Sequence, residues 1–282
     1  MITVDIFCPL YNAEKYLKDL NASVFSQESP YKFNITYILT ESSDRTEEML
    51  EEENCNYYKI SKSSFSHSLV RENAARNSCA DIIVFITQDI QIANNAWLTN
   101  LVMPIVNKEV VATYSRQISK YNNIEKYIRE FNYPSQSLVK SIADVNRYGL
   151  YTFFFSDASS AIDRKVFDKL NYYDQKFLTL SEDMYIAYKL IMNNYKIKYC
   201  SDSIVFHSHS YSLCELFTRY KLTGIFFKEN SYLNKFSKNR AGKALALYIL
   251  KRALLDLNIK VLVRFIPDML VRILGMYTGK NF

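Results

Sequence analysis

Hydrophobic residues in the first half of the chain form short runs, separated by stretches in which they recur every three or four positions. The runs at 3–9, 34–40, Tyr57–Ile60 and 81–87 read as strands, and the periodic stretches 13–27, 45–53, 66–78 and one starting near Asn95 read as helices. Strands alternating with helices call for an α/β fold, a mostly parallel sheet covered on both faces. A further strand is expected at 110–115. Residues 117–150 are polar and irregular, an insertion over the carboxyl edge of the sheet. A strand-like run at 151–156 ends at Asp157, and a helix from about Asp183 to Asn193 precedes strands at 197–200 and 204–206. From Leu213 the pattern is helical to the end, interrupted at Gly242 and Pro267. The expected organisation is an α/β domain over 1–212 and a helical extension over 213–282.

The run at 81–87 is apolar and β-branched, as suits a strand buried on both faces. It delivers Asp89 to the carboxyl end, where open α/β sheets place their ligands. A carboxylate there can hold a divalent cation together with substrate phosphates. A single Asp in that place is more often a turn residue, so its meaning depends on the rest of the chain.

Composition narrows the class. Of 282 residues, 49% are hydrophobic and 23% charged, which describes a folded globular chain. Five Gly and five Pro are too few for a many-stranded sandwich. The five Cys are scattered, which excludes a disulfide scaffold or zinc ribbon and suits a reducing, cytoplasmic setting. No leader-like segment opens the chain, and no uninterrupted apolar stretch reaches the ~18 residues of a spanning helix. The net charge of +6 is uneven: residues 235–282 hold ten bases, Lys238 among them, against Asp256 and Asp268. These bases interleave with Leu, Ile and Val, which disfavours nucleic acid. Residues 244–266 are apolar over most of a helical circumference, fitting either packed helices or helices lying in a membrane interface.

Candidate chemistry gathers at strand ends. Pro9, Tyr11 and Asn12 follow the first strand, and Glu41 follows the second. Arg71 lies one helical turn after His67 and is suited to clamp phosphate. Glu182 and Asp183 are adjacent acids at a helix start, a place the helix dipole favours for carboxylates regardless of catalysis. His207 and His209, two of the three His, alternate on an extended segment and so point the same way. Arg219 follows on the next helix.

With these parts in place, the chain resembles glycosyltransferase family 2, and within it the bacterial rhamnosyltransferase-like branch. The carrying stretches are FCPLYNAEKYL (7–17), FSHSLVRENAA (65–75), FITQDI (85–90), FFFSDASSAIDRKVF (153–167), LSEDMYIAYKL (180–190) and VFHSHSYSLCELFTRYKLTG (205–224). The resemblance implies a GT-A fold, Rossmann-like, that binds a nucleotide sugar. It implies an inverting transfer assisted by Mg²⁺ or Mn²⁺, with Asp89 matching the final acid of an Asp-x-Asp motif. Thr87 stands where the first acid is usual. His207 and His209 would complete the metal site. Asp183 would be the general base, with Glu182 its neighbour and substitute. Pro9, Tyr11, Asn12, Glu41, Arg71, Gln88, Asp89 and Arg219 would hold the nucleotide sugar, and Asp157 would face the acceptor. The implied donor is dTDP-L-rhamnose, with a UDP-hexose or UDP-N-acetylhexosamine as the alternative. The implied acceptor is a saccharide or polyprenyl-linked saccharide in bacterial surface polysaccharide synthesis. The basic tail would then sit on the inner face of the membrane, and a homodimer is compatible with this arrangement. A non-catalytic subunit that keeps the fold is the rival favoured by Thr87. A nucleotidyltransferase is disfavoured, because residues 7–17 lack a Gly-rich phosphate loop.

Overall fold

The computed structural model describes residues 1–237 and 240–281, so Lys238 lies outside the described residues. The first half alternates as the pattern predicts: β1 (Thr3–Leu10), α1 (Glu14–Phe25), β2 (Lys32–Thr40), α2 (Thr46–Glu52), β3 (Tyr57–Ile60), α3 (His67–Arg76) and β4 (Ile82–Ile86). There follow β5 (Gln91–Ile92), α4 (Trp97–Val106), β6 (Ala112–Ile118), α5 (Ile124–Asn132), β7 (Leu138–Lys140), α6 (Val145–Tyr148), β8 (Ser159–Asp163), α7 (Arg164–Lys169), α8 (Glu182–Met192) and β9 (Ile197–Phe206). Three helices complete the chain: α9 (Leu213–Glu229), α10 (Arg240–Leu255) and α11 (Ile259–Asn281).

The strands form one sheet in the order β3-β2-β1-β4-β8-β6-β9-β5, with β7 also pairing β9. From β3 to β4 the strands are parallel. Beyond β4 the sheet is mixed: β8 runs antiparallel to both its neighbours, and β6 and β9 are parallel to each other. All five residues of β4 are buried, because apolar side chains cover both faces. Val4, Ile6, Leu17, Val84 and Trp97 fill one side, and Phe7, Phe85, Tyr114 and Phe167 fill the other. The chain leaves β1 toward β2 on one side and returns to β4 on the other. A crevice therefore opens at the carboxyl ends of β1 and β4.

Three expectations fail for identifiable reasons. Residues 151–156 are not a strand; Gly149–Phe153 forms a 3-10 turn, and the strand comes later as β8. The aromatic run is apolar because it packs a core, with Phe153 and Phe155 buried and Tyr151 stacked on Phe154, and a short apolar run carries no period that separates these outcomes. The strands expected at 197–200 and 204–206 are one strand, β9, whose register against β6 shifts between Ser115 and Arg116. Pro267 does not interrupt α11. The break falls at 256–258, where Leu257 takes a positive φ and the Asn258 side chain accepts from the Val261 N–H. Gly242 likewise lies within α10.

Candidate active site

A cavity of about 910 Å³ occupies the crevice. Its wall brings together Pro9, Tyr11, Arg71, Gln88, Asp89, Asp157, Glu182, Asp183, His207, His209 and Arg219, drawn from stretches more than two hundred residues apart. Asn12 and Glu41 are not on that wall. Asn12 adopts a left-handed φ of 46°, which Asn tolerates, and its Oδ1 accepts from the Ser43 N–H at 2.9 Å. Glu41 accepts from the Lys62 N–H at 3.1 Å. Both brace loops at the edge of the cavity instead of lining it.

At the nucleotide end expected from the sequence, Gln88 clamps Tyr11 with two bonds. Its Oε1 accepts from the Tyr11 N–H at 2.8 Å and its Nε2 donates to the Tyr11 carbonyl at 3.1 Å. The loop after β1 is thereby fixed to the loop after β4. The Tyr11 ring is 41% exposed, and the Lys62 ammonium sits 4.7 Å over it.

Asp89 lies just past β4 and faces the segment after β9. Its Oδ2 is 3.4 Å from His207 Nε2 and 3.5 Å from His209 Nδ1. Gln117, at the end of β6, lies with Oε1 2.9 Å from His207 Nδ1. An amide oxygen only accepts, so Nδ1 carries the proton and Nε2 turns a bare lone pair toward Asp89. Burial pushes both imidazoles below their ordinary pKa, His209 to about 3, so neither is charged at neutral pH. Two neutral imidazole nitrogens and a carboxylate thus converge with all three ligand atoms within 4.8 Å. The Thr87 hydroxyl is buried on the same cavity wall, beside Asp89. The donor set fits a divalent cation, and Gln117 would then supply the outer contact that orients His207.

The acidic pair at the start of α8 divides into two environments. Ser181, before it, has a left-handed φ of 64°. Glu182 turns inward and accepts from Arg71 at 2.9 Å, where the two side chains are only 9% and 2% exposed. Arg71 also donates to the His67 carbonyl at 3.1 Å. These two partners hold its guanidinium at the cavity wall. Asp183 makes no ion pair among the described residues, although Arg71 lies near enough to act on its charge. Burial, then the charges of Glu182 and Asp157, push its carboxyl well above the ordinary range. A desolvated carboxyl facing other carboxyls holds a proton avidly, as a base must.

Asp157 does not present a free carboxylate to an acceptor. It is buried and accepts from the Tyr173 hydroxyl at 2.8 Å and the Ser160 hydroxyl at 2.6 Å, so its part is to brace the floor. Arg219, on α9, reaches the cavity with its guanidinium 5.7 Å from the Tyr211 ring centre and makes no ion pair among the described residues. Sequence reasoning missed Gln117, Lys62, Tyr211 and Thr223. Gln117 fell just past the strand expected at 110–115, in the stretch read as polar and irregular, so nothing marked it out.

Comparison with known proteins bears on the family and the fold. Residues 5–170 match the family described as Glycosyl transferase family 2. The O-antigen chain rhamnosyltransferase RfbN of Salmonella typhimurium is 33% identical over 227 residues, covering 79% of this chain and 72% of that protein. The O-antigen chain rhamnosyltransferase WbaN of Salmonella anatum is 31% identical over 238 residues, covering 83% and 75%. Among solved structures, the mannosyltransferase PcManGT from Pyrobaculum calidifontis, in complex with GDP-Man and Mn²⁺, superposes with a TM-score of 0.62. At 14% identity it covers 98% of this chain and 84% of its own, a likeness of fold, which is GT-A.

Proposed function

The chain belongs to glycosyl transferase family 2, and on that premise we propose that it transfers L-rhamnose from dTDP-L-rhamnose to a saccharide, free or lipid-carried, in surface polysaccharide synthesis. The observation that carries this reading is the meeting of Asp89, His207 and His209 on the same cavity wall as Asp183. The names of the two rhamnosyltransferase relatives support the choice of sugar. A lipid-carried acceptor would put the enzyme at the inner face of the membrane.

Asp183 takes the proton of the acceptor hydroxyl as that oxygen bonds to the anomeric carbon. The bond from that carbon to the diphosphate breaks, and the nucleoside diphosphate leaves with the electron pair. Attack from the face opposite the leaving group inverts the anomeric centre. Asp89, His207 and His209 would hold Mg²⁺ or Mn²⁺, which when bound supplies positive charge for the diphosphate. Arg219, on the cavity wall near both histidines, adds positive charge. Tyr11, held by Gln88 and beside Pro9, offers a flat face to the base. Glu182 keeps Arg71 neutralised and leaves proton transfer to its neighbour. Residues 1–212 carry the chemistry, and 213–282 contribute Arg219 and support.

The test is nucleotide release from a panel of dTDP-, UDP- and GDP-sugars with Mn²⁺, using the wild type, Asp89→Ala and Asp183→Asn. Release from dTDP-rhamnose by the wild type alone is expected. Preference for a UDP-sugar would replace the donor. Undiminished turnover by either variant would remove that residue's role.

A further inference from the structure

α11 is seated by one side only. Gly275 and Gly279 face α9, where a Cβ on Gly275 would stand 2.6 Å from the Phe217 carbonyl and one on Gly279 would collide with that of Lys221. Asp268, buried on the same side, binds Arg264 at 2.9 Å, and Arg264 in turn donates to the Tyr211 carbonyl at 2.6 Å. Half a turn round the helix, Ile259, Val263, Ile266, Leu270, Ile273 and Tyr277 recur every three or four residues and are 54–74% exposed. A helix resting on glycines cannot roll to hide that row, because any larger group brought to α9 would clash.

The row belongs to a patch. Of the twenty-two large hydrophobic side chains exposed among the described residues, eleven lie between Leu247 and Tyr277, too concentrated to be scatter. Its charges are one-sided. Arg252 is spent on Glu130 and Asp256, Arg264 on Asp268, and Arg272 on Glu125. Lys251 and Lys260 make no ion pair among the described residues. Lys251 shares a helical face with exposed Leu247 and Leu254, and Lys260 flanks Ile259 and Val263.

We propose that the outer face of α10 and α11 docks on an anionic lipid surface, the helices lying in its plane. Apolar side chains edged by unneutralised lysines match acyl chains beneath anionic headgroups. A second copy would instead bring lysines to lysines, with both carboxylates of these helices, Asp256 and Asp268, already paired. No helix among the described residues is long and apolar enough to cross a membrane, which agrees with lying in the interface. The inference deepens the proposed function by locating the enzyme beside a lipid-carried acceptor, and it rests on that reading only for the acceptor.

Flotation of the full chain with vesicles of three parts phosphatidylethanolamine to one part phosphatidylglycerol tests it, beside vesicles of phosphatidylcholine alone. The wild type is expected to float with the anionic vesicles only. Ile266→Asp combined with Ile273→Asp should abolish flotation. Lys251→Ala combined with Lys260→Ala should weaken partitioning roughly 30-fold. Unaltered melting of both variants confirms folding, and nucleotide release without vesicles should stay at the wild-type level. Wild-type protein that stays in the soluble fraction overturns the docking face while leaving the transferase reading intact. So does a dimer in sedimentation velocity that the aspartate pair dissociates, with no vesicle uptake. Flotation as expected, without release from any nucleotide sugar, sinks the transferase reading and not the docking face.

Discussion

Replacing Glu182 should damage stability, whereas replacing Asp183 should damage chemistry, although the two carboxylates are adjacent in sequence. Glu182 and Arg71 form an ion pair 2.9 Å long with both side chains under a tenth exposed. Removing one member of such a pair strands a buried charge, at a cost of about 3–5 kcal/mol. Asp157 and Asp183 still lie near Arg71 and soften the loss, so Glu182→Ala should cost about 3 kcal/mol. At about 2 °C per kcal/mol for a chain of this size, its melting midpoint should fall by about 6 °C. Asp183→Asn removes a carboxyl that burial and two neighbouring carboxylates disfavour in its charged form, so no loss of stability is expected. Its transfer rate should fall by about 10²–10⁴-fold, the usual share of a positioned base. Thermal melts and initial rates of nucleotide release, measured well below the lower midpoint, make the comparison. If Glu182→Gln melts like the wild type yet loses transfer as completely as Asp183→Asn, the inward role of Glu182 is wrong.

The remaining predictions concern pH, metal and packing. A carboxyl whose folded pKa is raised stays protonated in the fold after the unfolded chain has ionised, so stability is lost as pH climbs from the ordinary carboxylate range toward the raised value. The melting advantage of Asp183→Asn over wild type should therefore be absent below the ordinary carboxylate range and grow as pH rises toward the raised value; a flat difference would refute the desolvated carboxyl. The wild-type rate should climb through that same window. Gln117→Leu should weaken Mn²⁺ binding, measured by electron paramagnetic resonance, about 10–100-fold with the fold intact, because His207 loses the contact that sets its tautomer. Binding equal to wild type would deny Gln117 that role. Gly279→Leu should destabilise the α9–α11 contact by about 1–3 kcal/mol, the range for overpacking, read in chemical denaturation.

The first four strands and the helices between them were legible because each kept one period over its length, and Asp89 was legible because an apolar run ended on it. In the mixed half, the strands near 110–115 and 197–206 were legible, but β8 and the direction of pairing were not. Nothing in residues 159–163 separates an antiparallel from a parallel partner, since both bury the strand on two faces. The aromatic run before it misled because Phe153 and Phe155 fill a core from a turn as readily as from a strand. Among the site residues, sequence could pair Glu182 with Asp183 but could not separate them. Their difference is made by Arg71, which comes from α3 over a hundred residues earlier. The same holds for Asn12, Glu41 and Asp157, whose residue types suit a ligand but whose oxygens accept from their own loops and core.

That division has a physical logic. A base is useful when no cation neutralises it, and a buried arginine is tolerable only when a carboxylate does, so neighbouring acids with opposite surroundings meet both demands. The ligand trio follows the opposite rule, since carboxylate and imidazoles gain from sharing one cation and lose by facing each other without it. The cavity thus keeps one carboxyl protonation-competent at the start of α8 and aims another, with two lone pairs, at a common point beside β4. In the proposed reaction, the presence of both groups on one cavity wall, more than either alone, would let it abstract a proton and receive a departing diphosphate. Exchanging the demands, with an arginine beside Asp183 or a lysine beside Asp89, would leave the same residues present and the chemistry gone.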